Sequence, residues 1–562
     1  MSRRIILNAF DMTCVTHQAP GLWRHPENQA DRYHDLDYWV DLAKTLERGR
    51  FDAIFIADVL GTYDVYRDSA ATALGDATQV PLGDPVVQIS AMAHATEHLG
   101  FGVTVATTYE QPYALARRFS TLDHFTRGRV GWNVVTSYLD SAARNLGLDT
   151  QIAHDDRYEI AEEFLDVTYK LWEGSWEDTA VLRDREAGVF ADASRVHPIG
   201  HEGRHYRVPG IHLAEPSPQR TPVMFQAGAS PRGRQFAAKH GEAIFINGLR
   251  PEATRPVTDD IRDRAEALGR PRDSVKILTL VTVVVAATDE EAQAKLDDYR
   301  RYVSVEGALA LYAGWTGLDL SQYDPDVPLE YVDTDAGRSA LSVFTKADPE
   351  RKWTPRDIAH YVGIGGIGPV IVGSPQTVAD ELERWVEVGG VDGFNIAYVV
   401  TPGSFEDIVD HLVPELRRRG RTWDDYPEGT LRGRLSGDGS PVVPEWHPAH
   451  AYRGAYEGGA SALDGTLGGP LVDAAAASAP ASVSAELDDL TELTEKEGAR
   501  WASSQRPPAA ADGRERRMPK NARTGAASPS ASPPSSRAMR CSATERTRTR
   551  RSSSTCSARR GW

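Results

Sequence analysis

The chain has 562 residues, more than one hydrophobic core fills, so a large domain with insertions or two domains with appendages is expected, and a coiled coil or small stapled scaffold is excluded. The net charge of −17 is unevenly placed: residues 1–500 carry 49 basic against 77 acidic side chains, while the last 62 carry 14 against 3. An acidic body argues against a nucleic-acid or anionic-membrane surface there, and with only Cys14, Cys541 and Cys556 the body has no disulfide framework.

The N-terminal MSRRIILNAFDMT has no apolar h-region of signal-peptide length. The longest apolar stretch, Ile277–Ala287, is about half of a membrane helix. A cytoplasmic protein is expected. Along the chain, short apolar runs alternate with amphipathic helical stretches. RIILNAF (Arg4–Phe10), FDAIFIAD (Phe51–Asp58), GFGVTVAT (Gly100–Thr107) and RVGWNVVTS (Arg129–Ser137) read as buried parallel strands, with helices near Asp35–Arg48, Asp84–His98 and Pro112–Phe125 between them. The rhythm continues through Thr221–Gly228, Glu242–Gly248, Val275–Ala286 and Gly393–Val400. Eight strands, each followed by a helix, fit an α/β fold, a closed (β/α)8 TIM barrel. The barrel domain is expected over residues 1–430, with insertions near 60–83, 174–220 and 306–369 that shape its active face. Residues 431–457 form an extension expected to pack on the barrel. From residue 458 to 562 the Ala/Ser/Pro/Arg-rich composition cannot bury enough apolar area to offset chain entropy, and a disordered tail is expected.

Several positions suggest chemistry. Asp58 ends the second strand, where a barrel presents its functional groups, although a strand-end aspartate also caps turns. Thr104, within GFGVTVAT, is placed either to point a hydroxyl into the barrel mouth or simply to pack. His154 and Tyr158 share one face at the start of a helix that Asp155 or Asp156 is expected to cap, a position suited to a phosphate or a ring edge. In FQAGASPRGR a strand runs into Ala227, Gly228, Ala229 and Ser230 and then a helix bearing Arg232 and Arg234. Small residues at such a junction let backbone amides and a hydroxyl approach a phosphate at a helix N-terminus. Gly363, Gly365 and Gly368 satisfy G-x-G-x-x-G, but the preceding residues look helical and an extended segment follows, so a flexible loop is expected rather than a dinucleotide fold. No P-loop, H-E-x-x-H or G-x-S-x-G motif occurs. The histidines at 17, 25, 94, 98, 447 and 450 are scattered or on expected surface faces, so no metal site is expected.

Taken together, FDAIFIAD, EQPYALARRFSTLDHFTRGRVGWNVVTS, the H-x-x-RY segment followed by LWEGSW, EPSPQRTPVMFQAGASPRGR and PQTVADELERWVEVGGVDGFNI resemble the flavin-dependent monooxygenases of the bacterial luciferase-like family. The resemblance lies in the branch that includes the nitrilotriacetate, EDTA and dibenzothiophene-sulfone enzymes. NAFDMTCVTHQAPGLWRHPENQADRY, GTYDVYRDSA and GIGGIGPVIVGSPQ are most similar to the flavin-using subunits that oxidise dimethyl sulfide. The resemblance implies FMN, used as FMNH2 from a separate NAD(P)H:FMN reductase, with O2 as co-substrate, and a homodimer or tetramer. It implies oxygenation of a small sulfur compound, dimethyl sulfide going to methanethiol and formaldehyde. It also implies that Asp58 and Thr104 line the flavin pocket, that His154 and Tyr158 contact the ribityl chain or phosphate, and that Ser230 with the Ala229 backbone holds the phosphate. Asn133 is a candidate near the isoalloxazine ring, and His154 a candidate acid or base. Three alternatives stay open: a sister enzyme acting on a sulfone or on an aminopolycarboxylate such as nitrilotriacetate, a deazaflavin-dependent oxidoreductase on the same fold, and a flavin-binding scaffold without turnover.

Overall fold

Runs rich in Ile, Val and Phe become strands because both of their faces are covered, one by the barrel interior and one by helices. The computed structural model describes residues 4–228, 230–329, 344 and 351–456. Its first strands are β1 (Ile6–Met12), β2 (Ala53–Ala57), β3 (Gly100–Ala106) and β4 (Val130–Val135). Two small hairpins follow in the second insertion: β5 (Val181–Asp184) with β6 (Val189–Ala191), and β7 (His201–Glu202) with β8 (Arg207–Val208). Then come β9 (Val223–Ala227), β10 (Ala243–Ile246), β11 (Lys276–Val285), β12 (Val370–Gly373) and β13 (Gly393–Ala397). Parallel pairing runs β1-β2-β3-β4-β9-β10-β11-β13, and β13 returns to β1, with Ile6 opposite Gly393 and Ala9 opposite Ile396. The eight expected strands therefore close the barrel. A ninth parallel strand, β12, lies outside the ring, on the C-terminal half of the long β11.

The first seven helices are α1 (Leu36–Arg48), α2 (Ala71–Gly75), α3 (Pro85–His94), α4 (Pro112–Thr126), α5 (Asp140–Asn145), α6 (His154–Tyr169) and α7 (Pro231–His240). α1 shows the local logic: the Asp35 side chain accepts the Asp37 N–H at its start, and Trp39, Leu42, Ala43 and Leu46 bury one face at helical spacing. α3 stops at His94, four residues short of the expected end. Side chains distant in sequence claim the groups that would continue it. Arg129 donates to the carbonyls of Ala93, Thr96 and Leu99, and Glu47 Oε1 accepts the N–H groups of Glu97, His98 and Leu99. α6 starts with Ala153 at the N-cap and no side-chain cap, so Asp155 and Asp156 lie inside its first turn rather than capping it.

Aromatic rings fill the barrel. Phe55 meets Phe225 edge-on at 5.5 Å, and Phe10 lies 5.1 Å from Phe245. Glycines on β3 and β4 make the room, since a Cβ on Gly131 would come within 2.5 Å of the Phe225 ring. Leu431 and Leu435, on the short helix Leu431–Ser436, pack with Ile6 and Val223 into this interior cluster. Beside them Arg432, 2% exposed, donates to both Glu242 oxygens at 2.7 and 2.9 Å and to the carbonyls of Thr221 and Pro222. The motif Gly363-x-Gly365-x-x-Gly368 follows the helix Pro355–Val362 and precedes β12, the reverse of the dinucleotide-binding order. Residues 457–562, which include the expected tail, lie outside the described residues.

Candidate functional site

The C-terminal ends of the barrel strands carry most of the residues singled out above. Inward-facing positions alternate along β3, so Thr104 shares its face with Gly102, whose missing Cβ looks toward Phe55 and Phe225. Its neighbour in register is Asn133, whose Nδ2 donates to Thr104 Oγ1 at 2.9 Å. Asn133 Oδ1 is buried without a partner. Asp58 follows β2 directly and is half-buried. Burial, reinforced by the charge of Asp84, pushes its carboxyl up to about 7.

Beside the mouth, the N-termini of α6 and α7 meet. His154 is the first residue of α6, with a side chain 48% exposed, its Nδ1 2.7 Å from Asp155 Oδ1 and its ring 5.2 Å from that of Tyr158. Tyr158 is buried between His154 and Phe236. Burial raises the pKa of its phenol, while hydrogen bonding to Ser230 opposes the shift. Ser230 caps α7, accepting the Gly233 N–H at 2.9 Å, and Pro231 occupies the first helical position. The floor is left open by two glycines. A Cβ on Gly233 would stand 2.7 Å from Tyr158 Oη and 3.1 Å from Ser230 Oγ, and one on Gly228 would stand 3.2 Å from the same Tyr158 oxygen. Tyr158, Gly228, Ser230 and Gly233 thus form a cradle at a helix N-terminus, with Arg232 over the Tyr158 ring at 5.8 Å. Ala229 lies outside the described residues.

A second cluster does not follow from the sequence reading. His17, counted above among the scattered histidines, is buried with its ring edge-on to Phe10 at 4.5 Å. Burial pushes its imidazole down to about 3, so it is neutral at physiological pH. Gln18 Nε2 lies 3.1 Å from His17 Nε2, and Gln79 Nε2 donates to the His17 carbonyl. Tyr63, from the first insertion, donates to Gln79 Oε1 at 2.6 Å and meets the hydroxyl of Tyr138 at 2.8 Å. The glycine-rich loop closes on the same group: Gly366, at φ +64°, donates its N–H to the Gln18 carbonyl, and a side chain there would collide with Gln18 Oε1. His17, Gln18, Tyr63, Gln79 and Tyr138 are thus joined in a hydroxyl- and amide-rich hydrogen-bonded cluster near the barrel mouth, in addition to the cradle at the α7 N-terminus.

The opposite end of the barrel offers less. A cavity of about 150 Å³ opens there between the strand starts and the C-terminal segment, lined by Glu242, Lys276, Arg432 and Trp446, but none of the singled-out residues reaches it. Among the described residues no three His, Cys, Asp or Glu side chains are placed to hold a metal ion, and no helix is long and apolar enough to cross a membrane.

Comparison with known proteins matches the luciferase-like monooxygenase family model over residues 10–392. The dimethyl-sulfide monooxygenase of Hyphomicrobium sulfonivorans is 59% identical over 476 residues, covering 85% of this chain and 99% of that one. Its crystal structure, that of DmoA, agrees with a TM-score of 0.79 over 83% of this chain and 100% of that one. The long-chain alkane monooxygenase of Geobacillus thermodenitrificans is 50% identical, covering 81% of this chain and 99% of the relative. A riboflavin lyase solved with modified FMN and riboflavin is 38% identical, with a TM-score of 0.74 over 80% of this chain and all of the other.

Proposed function

Because this chain belongs to the luciferase-like monooxygenase family and is a flavin-dependent monooxygenase, we propose that it is the oxygenating component of a two-component system acting on dimethyl sulfide. In this reading a separate NAD(P)H:FMN reductase supplies FMNH2, and O2 is the co-substrate. One oxygen atom ends in formaldehyde and the other in water, with two electrons and two protons taken up and methanethiol released. The observation that carries the reading is 59% identity over 99% of the length of a dimethyl-sulfide monooxygenase.

The residues present fit a flavin mononucleotide. The cradle that a Cβ on Gly233 would fill is the place proposed for the phosphate, to be held by Ser230, Tyr158 and the Arg232 N–H, with His154 at its rim. Asp58, Thr104 and Asn133 would line the ring, and the orphaned Asn133 Oδ1 is an acceptor for a ring N–H. The bound reduced flavin would supply the electrons for O2 activation. The protein would supply binding and shielding: Tyr63, Gln79 and Tyr138 link the first insertion to the segment after β4, and this linked segment is the part of the chain that would cover the reacting carbon. His154, half-exposed and paired with Asp155, is better placed to meet the phosphate than to move a proton at the substrate.

The cluster also bears on substrate class. His17, Gln18, Tyr63, Gln79 and Tyr138 carry no charge, and Arg67, the cation of the first insertion, is exposed and paired with Glu306. A site for an aminopolycarboxylate needs cations facing its carboxylates, so a neutral substrate fits best. The test is a kcat/KM ranking with FMNH2 for dimethyl sulfide, a long-chain alkane, dibenzothiophene sulfone and nitrilotriacetate. Dimethyl sulfide should rank first, and nitrilotriacetate ranking first would refute the neutral-site argument.

A further inference from the structure

The close lining of the cradle is neutral: the hydroxyls of Tyr158 and Ser230 and the Arg232 N–H. A phosphate dianion asks for more, yet the nearby cations are engaged. Arg234 pairs with Asp260 at 2.5 Å, Lys239 with Glu162 at 2.7 Å, and Arg232 leans toward Glu162 at 3.8 Å. Arg157, the residue before Tyr158, differs from all of them. It is 8% exposed, and its Nη1 donates to the Ile152 carbonyl at 2.5 Å. Its Nε is buried with no hydrogen-bond partner, and no carboxylate among the described residues forms an ion pair with it. Tyr109, Tyr158 and Asp140 are its titratable neighbours, of which Asp140 is the charged one, and the Tyr158 hydroxyl is the one set against Ser230.

Asp140 acts on this cation by charge without forming an ion pair with it, and a buried guanidinium edge that no acceptor meets is costly, so the edge points to a partner that arrives from outside. The unpaired Nε belongs to the edge that, with Nη2, forms the planar fork matching two oxygens of one phosphate. We propose that Arg157 completes the cradle by gripping the flavin phosphate through this edge, and that it is the residue by which the protein selects FMN over riboflavin. The proposal rests on the flavin reading above. It assigns to a buried arginine the charge complementarity that the half-exposed His154 does not supply.

The test is a pair of binding titrations on the full chain, with FMN and with riboflavin, followed by flavin fluorescence. Hydrogen bonds to charged groups are worth about 1.5–3 kcal/mol, or roughly 10- to 150-fold in affinity. Arg157→Gln should raise the FMN Kd by about that factor while the riboflavin Kd moves less than about threefold. Arg157→Lys, which keeps the charge and loses the fork, should fall between, and it carries the test if the Gln variant does not fold. An unchanged FMN-to-riboflavin ratio in a folded variant overturns the proposal, as does an equal loss for both ligands, which would make Arg157 a packing residue. A wild-type protein that does not distinguish FMN from riboflavin would instead overturn the phosphate cradle itself.

Discussion

Gly233→Ala separates the binding role of the cradle from the stability of the fold. The added Cβ would stand 2.7 Å from Tyr158 Oη, 3.1 Å from Ser230 Oγ and 3.1 Å from the Gly228 Cα, so something must shift. The Tyr158 hydroxyl is the part able to move, because the Gly228 backbone is fixed by the strand end and Ser230 by its capping bond. Moving it breaks the alignment of the two hydroxyls proposed to hold the phosphate. Losing one such charge-assisted contact costs about 1.5–3 kcal/mol, or roughly 10- to 150-fold in FMN affinity. Gly233 is the third residue of α7, so alanine brings less than the roughly 0.5–1 kcal/mol it gains in a helix interior, and displacing the Tyr158 hydroxyl offsets that gain. FMN binding should therefore fall by at least tenfold while the melting temperature of the apo protein changes little. Fluorescence titration and a thermal melt on one preparation read both quantities. FMN affinity within twofold of wild type would refute the placement of the phosphate, and a marked fall in melting temperature would show that the cradle is a packing feature.

Three further changes probe other parts of the account. His154→Ala should weaken FMN binding only about two- to fivefold, as befits a contact at the rim worth under about 1 kcal/mol, and an unchanged Kd in the same titration would remove His154 from the site. Arg432→Met leaves Glu242 buried without its partner and should cost about 3–5 kcal/mol, read as a large fall in melting temperature. R432M/E242Q should regain part of the loss, and a single variant as stable as wild type would contradict the buried pairing. Asp58, raised from 3.8 to about 7, is a carboxyl whose ionisation opposes folding, so its cost is absent below about pH 4, grows as pH rises through 7, and is constant above. Asp58→Asn should thus stabilise the protein more at pH 8 than at pH 5. Asp11, also raised to about 7, is common to both proteins and drops out of the difference. A gap that does not widen between pH 5 and 8 would contradict the burial of Asp58.

The barrel was legible because each of its strands is covered on both faces and so reads as an unbroken apolar run. β12 was legible only as an extended segment, since its VIVG is four residues long and alternates half-buried with buried positions. The end of α3 could not be read, because Arg129 and Glu47, each more than thirty residues away, determine where it stops. Two parts of the cradle were legible for local reasons, His154 and Tyr158 being one helical turn apart and Gly228 and Ser230 lying at a strand-to-helix junction, whereas the approach of Tyr158 Oη to Gly233 was not. The mouth cluster was not. His17, Tyr138 and the pair Tyr63 and Gln79 are contributed by three separate connections, after β1, β4 and β2, and only closure of the barrel brings their side chains together. Nor does the letter R at position 157 reveal that its guanidinium is buried with an unpaired edge.

The central claim is that this cluster and cradle serve the oxidation of dimethyl sulfide at the expense of O2 and reduced FMN. It is tested most directly by incubating the protein with dimethyl sulfide, O2, FMN, NADH and a flavin reductase, and measuring methanethiol and formaldehyde together. The account predicts both products in equal amounts, formed only when protein, reduced flavin and O2 are all present. Consumption of O2 with hydrogen peroxide as the product and neither methanethiol nor formaldehyde, under conditions where FMN binds, would contradict it.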